Sequence, residues 1–114
     1  MIKHYSEVEP EPVGMAGAAK VAVRWLIADR EGAPNFYMRL FEVEPGGYSP
    51  RHEHDYEHEI FFLEGRAVVL YDGEEYHVGP GYVAYIPPNI EHQIRNVGEE
   101  PLRFICLIPA SAKK

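Results

Sequence analysis

Residues 46–65 read GGYSPRHEHDYEHEIFFLEG, and this stretch places three histidines, His52, His54 and His58, within seven residues. Extended chain turns alternate residues to one face, so His52 and His54 can reach a single ion, and His58 keeps the same parity. Histidine is the commonest side-chain ligand of transition metals, so the cluster is a candidate metal site. A further histidine, His92, lies in the distant segment GYVAYIPPNIEHQIRN, and the fold has to bring it to the other three.

On either side of this stretch the chain is organised in short strands. KVAVRWLIA, NFYMRLFEVEP, EIFFLEG, RAVVLYDGEEYHVG, GPGYVAYIPPNI and EHQIRNVGEEPLRFICLIP are rich in branched and aromatic residues and are separated by Gly, Pro and Asn turns. Asp72–Gly73 is a hairpin signal. NFYMRLFEVEP is expected to end at Pro45 and the two glycines after it. With no amphipathic helix, turns at roughly eight- to twelve-residue intervals predict an all-β sandwich or barrel. The opening MIKHY is a candidate short strand in an arm, residues 1–19, expected to be less ordered or pinned by a partner subunit. The barrel is expected over 20–109 and an unstructured tail over 110–114.

The 114 residues suit a single domain, with no second core. Eighteen acidic against 11 basic residues give a net charge of -7, which disfavours nucleic acid and anionic membrane as partners. One cysteine, Cys106, cannot form an internal disulfide, and no apolar run is long enough for a membrane helix or signal peptide. The expected location is the cytoplasm.

The spacing of the two histidine segments resembles the cupin superfamily. Its first motif is met by Gly46, His52-x-His54, His58 in the slot usually held by glutamate, and Gly65. Its second is met by Gly81, Pro87, His92 and Asn96, with Asn89 replacing a glycine that asparagine can stand in for in a left-handed turn. Glu59 is an alternative fourth ligand, but it has the wrong parity and leaves Gly65 one residue early. With PNFYMRLF and EHEIF, the chain looks like the small, single-domain, four-histidine, manganese-binding cupins known from thermophilic prokaryotes.

The resemblance implies a jelly-roll barrel of two antiparallel sheets. It also implies one divalent transition metal per chain, held by His52, His54, His58 and His92, with manganese favoured and iron, copper, nickel or zinc allowed by imidazole chemistry. A homodimer is the expected assembly. A neutral ligand set leaves the ion its full charge, suited to a small anionic or chelating molecule. The implied function is a metal-dependent oxidoreductase of dioxygenase type, or a lyase. The alternative is a non-catalytic cupin that senses or stores a small molecule or metal, and a closed tetrahedral zinc site would be purely structural.

Three further residues are candidates for the pocket wall. Arg39 suits a carboxylate substrate, although an ion pair with Glu42 or Glu64 is the plainer reading. Cys106 shares parity with Phe104 and Ile108 and is either an oxidisable pocket group or a packed small hydrophobe. Ile94, two residues after His92, is an apolar wall or ordinary core. Tyr48 and Tyr85 are candidate gates, Asn96 is expected to stabilise a turn, and His4 and His77 are expected at the surface.

Overall fold

The computed structural model describes residues 1–113. It contains nine strands: β1 (Glu11–Pro12), β2 (Ala19–Ile27), β3 (Phe36–Tyr48), β4 (His58–Glu64), β5 (Ala67–Tyr71), β6 (Glu74–Val78), β7 (Val83–Ile86), β8 (His92–Asn96) and β9 (Leu102–Pro109). All pairings are antiparallel, and the strands curl into a jelly-roll in which β6-β5-β8-β3-β9-β4-β7 are neighbours and β2 and β1 add on to β3. Hydrogen bonding is continuous around this path, so the two expected sheets are joined. β3 joins them: on one side it pairs with β2, and on the other it pairs first with β9 and then, at Tyr48, with Arg95 of β8.

β3 runs through Pro45 and the glycines instead of ending there. The register explains why: Val43 pairs with Val21, and the next registered pair is Tyr48 with Ala19. The residues between them form an irregular step where a missing N–H is tolerated. Gly46 has φ +83°, and a Cβ on Gly47 would stand 2.7 Å from the Ala19 carbonyl oxygen. Elsewhere the turn chemistry is as expected. Asp72 and Gly73 take φ 49° and 83° between β5 and β6, and Asn89 takes φ 64°.

The opening of the chain differs from the sequence expectation. MIKHY forms no strand; Tyr5–Glu7 is a 3-10 turn capped by the His4 side chain, and the first strand is Glu11–Pro12. The arm packs on its own barrel: Val8 is buried, and Arg24 Nη1 donates to its carbonyl oxygen at 2.6 Å. In the tail, Ala110–Ala112 is a 3-10 turn and not unstructured.

Strand alternation places the core. On β9, Leu102, Phe104, Cys106 and Ile108 are buried, and on β4 His58, Ile60 and Phe62 are. Cross-strand pairing sets Ile60, Cys106 and Arg39 in one row, Phe62, Phe104 and Phe41 in the next, and Leu102 with Val43 beyond. Phe62, Leu102 and Val43 are fully buried and fill one end of the barrel, and Ile86, equally buried, pairs with His58 toward the other end. No helix among the described residues is long and apolar enough to cross a membrane.

Candidate metal centre

The other end of the barrel holds a cavity of about 410 Å³. Its walls include Trp25, Phe41, Phe104, Ile60 and Ile94, with Arg39, Cys106 and all four motif histidines. The backbone explains how the histidines meet. Beyond β3, Ser49 N–H donates to the Ile94 carbonyl and Ser49 Oγ accepts from Ile94 N–H, so the chain continues alongside β8. His52 and His92 then lie opposite each other and exchange main-chain hydrogen bonds of 3.1 and 2.9 Å. His54 returns two residues later, where its carbonyl accepts from Asn89 N–H at 2.7 Å. His58 opens β4 facing inward, and Glu59 is exposed on the opposite face.

His52, His54 and His92 each offer one ring nitrogen, and the three atoms lie within 4.8 Å of one another. The tautomers of two of them are fixed by the main chain. His54 Nδ1 lies 3.0 Å from the Tyr56 carbonyl oxygen and His92 Nδ1 lies 2.9 Å from that of Ile90. A carbonyl only accepts, so each Nδ1 carries the proton and each Nε2 presents a lone pair. His92 Nε2 is buried with no hydrogen-bond partner. An orphaned buried acceptor is costly, and converging imidazole lone pairs are what a divalent transition ion needs, so this donor set fits a metal.

His58 is different. Its Nδ1 faces Arg39 Nη2 at 3.3 Å and the Cys106 sulfur at 3.2 Å. A guanidinium only donates, so Nδ1 accepts and the proton rests on Nε2, which points at His54 Nε2 across 2.9 Å. Burial, followed by the charge of Arg39, pushes the His58 imidazole down to about 2. Burial, with His92 and His54 nearby, takes His52 down to about 4 and is also the main cause lowering His54. Burial raises the Cys106 thiol. In the metal-free protein His52, His54 and His58 therefore favour the neutral form at ordinary pH.

The plainer reading of Arg39 is overturned. Glu42 pairs with Arg24 at 2.8 Å and Arg103 at 3.2 Å, and Glu64 also lies against Arg103. Residues 39 and 42 have opposite strand parity, so Arg39 turns inward and Glu42 outward. Ile94 is buried and forms cavity wall. Asn96 stabilises a turn, donating to the Val43 and Glu100 carbonyls and accepting from Gly98 N–H. His4 and His77 are exposed, and Tyr48 and Tyr85 lie on the outside, away from the cavity.

Tyr56 was missed, although it shares the even parity of His52, His54 and His58. Its ring stacks on His54 with centroids 3.8 Å apart and planes 4° apart. Trp25 and Phe41 were read only as strand formers, yet they flank the Arg39 guanidinium at 5.5 and 4.8 Å.

A small jelly-roll with convergent histidines at one end of its interior is the architecture of the cupins. The Cupin domain family matches residues 39–108, more than half of the chain, and the protein belongs to this family. Among curated relatives, an uncharacterized protein of Methanocaldococcus jannaschii is 38% identical over 80 residues, covering 64% of each chain. The 1-methylthio-D-xylulose 5-phosphate methylsulfurylase of Rhodospirillum rubrum is 34% identical over 77 residues, covering 68% of this chain and 49% of that one. This chain thus spans from about half to just under two-thirds of the length of these two relatives. The structure of the polyketide cyclase RemF from Streptomyces resistomycificus superposes with a TM-score of 0.89 at 35% identity, covering 96% of this chain and 80% of RemF.

Proposed function

We propose that the protein is a metal-dependent enzyme, of dioxygenase or lyase type, acting on a small chelating organic molecule. The observation that carries this reading is the convergence of imidazoles on one wall of an otherwise largely apolar cavity. Similarity to relatives named as enzymes of different chemistry supports catalysis without choosing the reaction.

His52, His54 and His92 are the proposed primary ligands, since their ring nitrogens already converge. His58 is the proposed fourth; it would present Nε2 to an ion only in the tautomer protonated at Nδ1, with the Cys106 sulfur accepting that proton's hydrogen bond and the Arg39 contact to Nδ1 given up. Manganese is the ion expected from the family resemblance. A bound divalent ion would supply a Lewis acid that polarises a coordinated oxygen and acidifies bound water. The Tyr56 and Ile90 carbonyls orient the ligand rings, and Tyr56 holds His54 by stacking. Trp25, Phe41 and Phe104 receive the apolar body of the molecule and exclude water around it.

A second reading, a sensor or store that binds without turnover, is favoured by the outward direction of Glu59, which removes the adjacent carboxylate from proton transfer. Elemental analysis of untagged protein, followed by metal spectroscopy with and without azide, tests the centre. An ion whose spectrum azide shifts is expected. Absence of metal, or tetrahedral zinc indifferent to azide, overturns the enzyme reading. An oxygen electrode with a panel of 1,3-diketones and ortho-hydroxycarboxylates then separates the chemistries. Oxygen uptake identifies a dioxygenase and oxygen-independent product a lyase; binding without product identifies the sensor.

A homodimer is part of this reading. It is supported by the exposed apolar side chains Phe61, Leu63, Val83 and Tyr85 on paired strands β4 and β7, the latter at the end of the strand path. Native mass spectrometry showing only monomer would overturn it.

A further inference from the structure

Arg39 is a cation in the cavity wall without a counter-charge. Among the described residues, no carboxylate lies within ion-pair distance of it, and the glutamates nearest in sequence serve other arginines. Its Nη2 is used on His58 Nδ1 at 3.3 Å and the Cys106 sulfur at 3.1 Å, both uncharged partners. Its Nε is buried and has no hydrogen-bond partner. The faces of Phe41 and Trp25 stabilise the charge partially but accept no conventional hydrogen bond. A largely desolvated guanidinium with spare N–H groups and no anion is a standing cost, offset when an anionic group binds.

We propose that Arg39 anchors the carboxylate of the molecule that occupies the cavity, which is therefore an organic acid with an apolar, preferably aromatic, body and an oxygen donor reaching the histidines. A carboxylate fits better than a phosphate. One planar guanidinium matches its two oxygens and single charge, whereas a phosphate dianion would leave charge and acceptors unmet among Trp25, Phe41 and Ile60. A cavity of about 410 Å³ holds a single-ring acid with room for a side chain. The inference rests on reading the cavity as a ligand site, but it does not require the metal.

The test uses the metal-free full chain with benzoate and its neutral isostere benzamide, read by calorimetry and by the Arg39 Nε–H resonance. Benzoate should bind and shift that resonance, with benzamide about tenfold or more weaker. Arg39→Gln should bring benzoate down to the benzamide level and lower benzamide binding far less than benzoate binding. His58→Glu keeps Arg39 but supplies an internal carboxylate beside it, and should abolish the preference for benzoate in the same way. Equal affinity for the two compounds, an unmoved Arg39 resonance, or unchanged benzoate preference in folded Arg39→Gln protein each overturns the proposal. If metal analysis fails while benzoate selectivity persists, the enzyme reading falls and this inference stands.

Discussion

The two ends of the barrel are built from the same strands and differ by one or two cross-strand rows. At the filled end, Val43, Phe62 and Leu102 are almost wholly inaccessible and have only packing to do. At the hollow end, β3, β4 and β9 contribute Arg39, His58 and Cys106, which have polar atoms and imperfect partners. One fold thus divides stability from chemistry along the length of each strand. The filled end holds the shape, and the hollow end carries unmet polar and ionic demands that a bound ion or ligand would relieve.

The comparison can be broken most sharply by truncation at each end. His92→Ala should abolish stoichiometric metal, read by elemental analysis, while the urea midpoint falls only modestly, because relief of the unpartnered buried Nε2 offsets loss of the Nδ1 hydrogen bond to the Ile90 carbonyl. A collapse of folding in that variant would show that the histidines hold the barrel together. Phe62→Ala should do the reverse, costing about 3–5 kcal/mol in urea unfolding with metal still bound under native conditions. Ile60→Ala, one row nearer the cavity, should cost about 2 kcal/mol, the low end for such truncations, because its side chain already borders open space.

Acid should act through the hollow end. In the metal-free protein His52 and His58 take up protons far less readily when folded than when unfolded, so the unfolded state binds more protons as pH falls. Stability is full above the unfolded histidine value of about 6.5 and is lost progressively below it; the His52 share levels off near pH 4, where the folded ring takes up its own proton, and the His58 share goes on falling toward about 2. The melting temperature should therefore decline across that window, and His52→Gln should flatten the slope. A melting temperature flat from neutral pH to 4 would contradict the burial of these rings. The smallest effect is expected at Phe41→Leu, which removes one aromatic face from Arg39 and should cost about 1 kcal/mol in the same unfolding assay.

Much of this was legible before the structure. Alternation of branched residues located the strands, and motif spacing named the four histidines that the fold brings into one cavity. What was not legible depended on pairing between distant segments. β3 passes through Pro45 because β2 steps out of register opposite it, and no local signal in NFYMRLFEVEPGG records that step. The Arg39 error was avoidable, since residues three apart on a strand face opposite ways. Tyr56 carried the right parity but was masked by the more obvious histidines on either side. That His58 differs from His54 and His92 was beyond sequence reading, because it depends on which atom faces each Nδ1: a carbonyl for two of them, a guanidinium and a thiol for the third.

The reciprocal main-chain bonds between His52 and His92 have a historical consequence. Backbone atoms hold these two positions face to face whatever side chains they carry, so a change of ligand need not disturb the frame. Position 58, anchored as the first residue of a strand, has similar freedom. Descendants of such a chain could exchange one donor at a time and pass through folded intermediates at every step, so that new reactivity arises by single substitutions within an inherited architecture.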